Sequence, residues 1–571
     1  MNEIACKPRS GLVAALAAVF ALLAGCAMPS APSPQTQNRS AIQAPGQATS
    51  GGSTEAEIAE YQALVKKFHS PDLVAKLLFK QAREKHNSKR AILAALLALR
   101  AGDFKTANQA AALLRKLAPD ESDTWSVSMR IALAQADLEM GRKAAAKAYA
   151  LGGAKAVALG TGGAVDPWFV YPLVQSLATA HPKDGALQLV LARSALDAGD
   201  ASAAIRAAQA TENFGPGARA AKLIAIQSRW DLGQQARAMA EAARALAKHP
   251  HDIGLRVFYA NILSRSDKPR RAREVLADAR ALAPDDPEVA FGYAIMAANE
   301  GKVAEANARL AAMLEAGDDS SGVYSLLGQL AASGNDWGQA FGWYEQIQSP
   351  DDLASSRVPS LVALDHWKGS ATAEDYLQQL STHFPGLAPT WAGVHATLLG
   401  EHGKSEAAWQ LLGKTLERYP QVRPLRYQRA MLGEQLGKTS DALAALKRLV
   451  EEEPGNPMYL NGYGYTLLVH TTRYRVAYGY IKRALAISPD DGAILDSMGW
   501  ALYRLGKPGK ALGYLARAWR KTDDIAVARH LIAVYVALNR RGEAQKVLNS
   551  ALGQSPRDPK LLKLKRQLAR R

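Results

Sequence analysis

The sequence predicts an all-α fold, a solenoid of stacked helix pairs, and three observations predict it. An alanine recurs at Ala204, Ala238, Ala272, Ala306, Ala340, Ala373, Ala408, Ala442, Ala477, Ala511 and Ala544, in steps of 33 to 35 residues. Twelve residues after most of these comes a proline: Pro216, Pro250, Pro284, Pro385, Pro420, Pro454, Pro489 and Pro556. In several units a Gly-bearing break lies between the apolar runs, at 232–234, 300–302, 436–438, 506–508 and 539–542. A fixed period in the range of roughly 20–50 residues marks a repeat architecture. A chain built this way holds other molecules and is not laid out for chemistry.

Each element has a physical reason. Small residues at a helix crossing let two backbones approach, and Gly499, Ala511 and Ala518 supply them in the most regular unit. Trp500, Leu502, Leu505 and Leu515 fill the space around them, and 506–508 breaks the first helix. Three units carry Asp318, Asp352 or Asp523 where the proline would stand, and an aspartate there is expected to cap the next helix. The period of 34 with this pattern resembles the tetratricopeptide repeat. The resemblance implies a right-handed superhelix of about 11 regular repeats with about 2 divergent ones before them.

Before Ala204 the ladder weakens. One unit is read around Ala107, with Leu96, Ala111, Leu114 and Pro119 at matching offsets, and a weaker one around Ala145 and Tyr149. Residues 152–166 read as a loop or a slipped repeat, followed by a short helix from Pro167 to about Ala180. The expected organisation is a signal peptide over 1–25, a lipidated cysteine and disordered tether over 26–54, an N-terminal cap and divergent repeats over 55–182, and the regular array over 183–571. Residues 559–571 are expected to form a basic helix that closes the array with a polar outer face.

The first 26 residues carry the address. Lys7 and Arg9 precede an apolar stretch, 12–23, too short to span a bilayer as a mature anchor. It ends in Leu23-Ala24-Gly25-Cys26, which resembles the bacterial lipobox and implies cleavage before Cys26 and lipidation of its thiol. Cys6 and Cys26 are the only cysteines, so the processed monomer could form no internal disulfide. Ala27 after the lipid site resembles outer-membrane sorting, so the expected location is the outer membrane, facing the periplasm.

The charge is uneven. From Glu417 onward 28 Lys and Arg stand against 13 Asp and Glu, a surplus of 15 that leaves 2 for the rest of the +17 chain. In a periplasmic protein this disfavours nucleic acid as partner. It suits an acidic protein surface, an anionic glycan or lipid headgroups, or else a solvated face that keeps the chain soluble.

No catalytic constellation stands out, and no cofactor or metal is expected. Residues 433–439 resemble a phosphate loop but place three residues between the glycines where four are needed. His395 and His402 are seven apart with no third ligand near. Binding is therefore assigned to the concave groove lined by the first helix of each pair. Counted from Gly464, Gly499 and Ile532, the groove positions are Asn461, Tyr465, Asp496, Trp500, Tyr503 and Arg529, with Arg504 adjacent. Aromatic, amide and guanidinium groups there can hold an extended peptide; Trp500 and Tyr503 can equally serve inter-helix packing.

The stretch Tyr459-Leu-Asn-Gly-Tyr-Gly-Tyr-Thr-Leu467, then Thr472-Arg-Tyr474, Ser488-Pro-Asp-Asp491 and Ile494-Leu-Asp-Ser-Met-Gly-Trp-Ala-Leu-Tyr-Arg-Leu-Gly506 resembles a family of proteobacterial outer-membrane tetratricopeptide lipoproteins. That family includes the lipoprotein adaptor of the carboxyl-terminal processing protease in pseudomonads. The specific motif covers about 457–507, and Gly462, 469–471 and the basic end depart from it. The resemblance implies a scaffold that binds the protease and brings it peptidoglycan hydrolases. The alternative is a structural part of an envelope export or assembly machine for exopolysaccharide or pilus-secretin.

Overall fold

A computed structural model describes residues 70–569 apart from 215, 216, 267 and 523. Cys26, the signal and tether segments, Pro216, Asp523 and residues 55–69 of the expected cap lie outside the described residues. Among the described residues are 29 α-helices and two short 3-10 turns, with no strand. They divide into two compact units, one of residues 70–228 and 239–395 and the other of residues 229–238 and 396–569.

The alanine ladder is the rule by which second helices are placed. Every ladder alanine is the fourth residue of its second helix, as in Ser405–Arg418, Thr439–Glu452, Tyr474–Ile487, Pro508–Thr522 and Arg541–Gln554. None of the eleven is more than 2% exposed. The preceding turn reverses the chain through a left-handed residue: Gly199, Gly233, Gly301, Gly403, Gly437 and Gly506, with φ between 71° and 77°. Asn335 and Asn539 take the same role at φ 62°, asparagine being the side chain that tolerates this region best after glycine.

Capping differs from the sequence expectation. Asp352 stands at the N-cap of Leu353–Lys368 but its side chain makes no cap bond. Asp318 accepts a hydrogen bond from the Ser320 N–H, one residue before the helix Ser321–Ser333 begins. The working caps are the residues directly before the first helices. Asp252, Asp286, Asn456 and Asp491 each accept an N–H from the first turn of the helix that follows.

The weak N-terminal region is also resolved. The small residue of its second unit is Gly141, fourth in the helix Leu138–Gly160, and not Ala145. A methyl group on Gly141 would stand 2.9 Å from Leu133 Cδ2. Residues 152–166 are not a loop throughout. The helix runs to Gly160 with a break at Gly153 (φ 62°), and only 161–166 are non-helical. Val170, fourth in Pro167–Ala180, lies 34 residues before Ala204 but only 29 after Gly141. The repeat between them has lost five residues, and its first helix is cut short after Gly153.

This slipped segment is pinned within its own unit. Asp166, 3% exposed, accepts hydrogen bonds from the Trp168 N–H (2.9 Å), the Thr390 N–H (3.1 Å) and the Thr390 hydroxyl (2.8 Å). Its own N–H donates to the Gly386 carbonyl at 2.8 Å. Burial pushes the Asp166 carboxyl up to about 6, outweighing the hydrogen bonds that favour the charged form.

At the C-terminal end, the helix Pro559–Ala569 buries Leu561 and lays Leu564 and Leu568 against Ala544, Leu548 and Ala551. The last pair is thereby covered by a helix rich in lysine on its remaining faces.

Candidate partner-binding face

The first helices Arg423–Gln435, Pro457–His470, Gly492–Arg504 and Ile525–Ala537 belong to one unit and carry the sequence-predicted site. Their inner side is spent on pairing. A Cβ on Gly464 would lie 2.7 Å from Ile481 Cγ1 and 3.1 Å from the Ala477 carbonyl oxygen. One on Gly499 would lie 2.5 Å from Leu515 Cγ and 3.2 Å from the Ala511 carbonyl oxygen. Residues three before, one after and four after these glycines lie roughly 40–100° round the helix from them, on the flank beside the pairing side.

The structure joins Asp496, Trp500 and Tyr503 through a residue that the register missed, His530. Its Nδ1 lies 2.9 and 3.0 Å from the two carboxylate oxygens of Asp496, which is 7% exposed. The His530 ring stacks on Trp500 with centroids 4.1 Å apart and planes 16° apart. Trp500 also stacks on Tyr503 at 4.9 Å and 19°. The carboxylate thus fixes the imidazole, and the imidazole fixes the indole. The signal was present in the sequence, because His530 follows Asp496 by one repeat length.

Tyr465 is half-buried, and burial pushes its phenol up to about 12, with the Asp496 and Glu434 carboxylates adding to the shift and Arg529 opposing it. Arg529 and Tyr465 therefore share this charged neighbourhood with Asp496. Glu434, also outside the sequence reading, pairs with His470 of the following first helix. The Asn461 Oδ1 atom is buried with no hydrogen-bond partner among the described residues. Arg504 is drawn elsewhere. Its guanidinium bonds the Tyr474 hydroxyl and lies 4.4 Å above that ring, at the start of the second helix. Trp500 and Tyr503 are half-buried against the core of Tyr459, Tyr463, Leu467 and Met498, so they pack as well as present a surface.

The comparisons with known proteins follow the repeats. Two tetratricopeptide repeat models match, one at 230–298, 266–330 and 502–568, the other at 189–253, 394–457 and 427–492. Together they span more than half of the chain. The chain is 35% identical over 205 residues to the TPR repeat-containing protein PA4667 of Pseudomonas aeruginosa, covering 36% of this chain. The match spans only 35% of that relative's length. Among solved structures, TTC0263, a thermophilic TPR protein of Thermus thermophilus, is 23% identical with a TM-score of 0.29, over 30% of this chain and 95% of that one. The APC/C hetero-tetramer Cut9-Hcn1 is 16% identical with a TM-score of 0.33, over 78% of this chain and 96% of that one. The period, the buried alanine ladder and the family models agree: the chain belongs to the tetratricopeptide repeat proteins, scaffolds that act by binding other proteins.

Proposed function

We propose that this protein is a periplasm-facing outer-membrane lipoprotein scaffold, and that it serves as an adaptor delivering peptidoglycan hydrolases to a carboxyl-terminal processing protease. The observation that carries the reading is a coincidence of place. The segment 457–507, whose sequence resembles the adaptor family, is the segment that supplies Tyr465, Asp496, Trp500 and Tyr503 to the partner-binding face. A scaffold of this kind works by raising the concentration of substrate beside the enzyme. The test is affinity capture with the tagged full-length chain from its own envelope extract, at low and moderate salt. A carboxyl-terminal processing protease recovered with wall hydrolases supports the adaptor. An outer-membrane export pore or polymer synthase in their place would transfer the scaffold to an export or assembly machine, with the basic end as its contact for an anionic polymer.

The lipid anchor at Cys26 is part of the proposal and has its own check. Cys26→Ala is expected to move the protein from the membrane fraction to the soluble periplasm or to leave it unprocessed. Unchanged fractionation and mass would refute the anchor. For the face, Trp500→Ala and Arg529→Ala are each expected to weaken partner capture about tenfold, the scale of an aromatic or arginine anchor. The thermal melt of each variant separates the two roles of Trp500: lost capture with an unchanged melt marks a contact residue, whereas a lowered melt alone marks packing.

A further inference from the structure

The repeat register exposes an exchange at Arg426 and Arg429. One repeat on, these positions hold Leu460 and Tyr463, and two repeats on, Leu495 and Met498; none of the four is more than 5% exposed. Apolar residues at these positions close the space between successive second helices. Here arginines stand in that space, and a cleft of about 540 Å³ opens between the helices Ser405–Arg418 and Thr439–Glu452, floored by Arg423–Gln435. That is within the roughly 300–1,000 Å³ typical of ligand sites. Polar groups in a core register cost stability and are most often kept at functional sites.

The arginines are not equivalent. Arg426 donates to Glu452 Oε1 at 2.8 Å, and Arg423 bonds both Glu452 and Glu453. Arg426 holds the Glu452 carboxyl below its ordinary range. Those charges are matched. Among the described residues Arg429 has no carboxylate partner. Its guanidinium lies 4.0 Å above the Trp409 ring, its Nε donates to the Trp409 carbonyl at 3.4 Å, and the Gly413 backbone leaves room for it. Lys438 approaches the same indole, also at 4.0 Å, while paired with Glu406. Arg429 is thus a guanidinium oriented in advance, with its two Nη groups unengaged. Leu416, Pro420 and Ala445 give the cleft an apolar wall, Arg448 stands at its exposed edge, and Asp441 is the one lining carboxylate with no arginine on it.

We infer that this cleft is a second recognition site, for an acidic segment of a partner protein, with one Asp or Glu carboxylate forked by Arg429 and a neighbouring apolar side chain against Leu416 and Pro420. A fork of two parallel N–H···O bonds is the preferred geometry of arginine with a carboxylate. The inference rests on the scaffold reading above and names a site between second helices, apart from the Trp500 face on the first helices. A peptide is favoured over an anionic sugar because Leu416, Pro420 and Ala445 form an apolar wall that an aliphatic side chain fills and a hydroxyl-covered ring does not.

The test is direct binding of dye-labelled peptides to the full-length chain in detergent, followed by fluorescence anisotropy. The probes are an eight-residue peptide of alternating Glu and Leu, its Gln and Leu counterpart, and an oligomeric glucuronate. The Glu peptide is expected to bind at least tenfold more tightly than the Gln peptide, and binding is expected to weaken steeply with salt. Arg429→Gln should lower affinity about tenfold, Arg429→Lys should restore only part of it because the fork is lost, and Lys482→Gln, an exposed charge that does not line the cleft, should leave it unchanged. Equal affinity of Arg429→Gln and the parent for the Glu peptide would overturn the site, as would binding of the glucuronate alone. Circular dichroism shows whether each variant is folded, and Arg429→Lys keeps the test valid if Arg429→Gln is not. Failure to capture a protease or hydrolase, with Glu-peptide binding intact and dependent on Arg429, would remove the adaptor reading and leave the site standing.

Discussion

Gly499→Val and Ala511→Leu are each expected to destabilise the C-terminal unit by about 1–3 kcal/mol, the cost of forcing extra carbon into a closed helix crossing. Both residues sit where the first and second helices of one pair touch. At Gly499 even a methyl group would stand 2.5 Å from Leu515 Cγ, and behind it lies the Ala511 carbonyl, which is backbone and cannot swing away. Ala511 is 0% exposed, so a leucine there has no solvent to turn into. A contrast lies on the same second helix. Gly513 has nothing within 4 Å of its added Cβ, so Gly513→Ala should raise stability by up to about 1 kcal/mol through helix propensity alone. Repeats touch mainly their neighbours, so the loss should be local and visible as faster amide hydrogen exchange over 492–522 before it appears in a global melt. Gly499→Val and Ala511→Leu fill the same crossing, so their combined effect should differ from the sum. Parent-like exchange and melting in both single variants would show that the crossing can open without cost, and the ladder would lose its structural meaning.

The regular array was legible because one physical requirement, close helix crossing, repeats with a fixed period and needs a small residue each time. Where the small residue changed type, the reading failed. Gly141 serves the crossing that was assigned to Ala145, since an alanine search passes over a glycine. The slipped repeat before Val170 was legible only as a disturbance, because a loss of five residues breaks the register that the period depends on. The caps show a different limit. Asp352 stands at a cap position, but whether its oxygen reaches an N–H depends on the local turn, and there a 3-10 turn over Pro350–Asp352 intervenes. In the candidate site, counting from Gly499 found Asp496, Trp500 and Tyr503 because helix geometry fixes the face a residue occupies. His530 and the departure of Arg504 to Tyr474 depend on contacts between neighbouring repeats, which one helix cannot reveal. The Arg429 cleft was hidden for the same reason: among many basic residues it reads as one more charge until its neighbours are seen to be core.

Asp166→Ala is expected to weaken the N-terminal unit by about 2–3 kcal/mol at pH 5, and by less at pH 8. The side chain does two jobs whose loss adds up. It caps the helix Pro167–Ala180 through the Trp168 N–H, worth about 1 kcal/mol, and it is the acceptor for the Thr390 N–H and hydroxyl. Thr390 is 4% exposed, so an alanine at 166 leaves its polar groups buried without a partner, at a further cost of about 1–3 kcal/mol. The pH dependence follows from the carboxyl at about 6 against the ordinary 3.8. A folded value above the unfolded one means that the folded chain holds the proton more tightly. The stabilisation is complete below 3.8 and is lost as the pH rises through 6. The full span is about 3 kcal/mol, of which roughly 1.4 kcal/mol falls between pH 5 and pH 8. Alanine cannot titrate, so the penalty of the variant against the parent should shrink by that amount on going from pH 5 to pH 8. Comparing the two proteins at each pH cancels every other titrating group. Asp166→Asn keeps a capping oxygen without the buried charge and should flatten the parent's dependence while holding the cap. The measurement is denaturant unfolding read by hydrogen exchange at 161–170 and 385–391. A penalty that grows with pH would mean that Asp166 is stabilised as a carboxylate, its three hydrogen bonds outweighing the cost of burial.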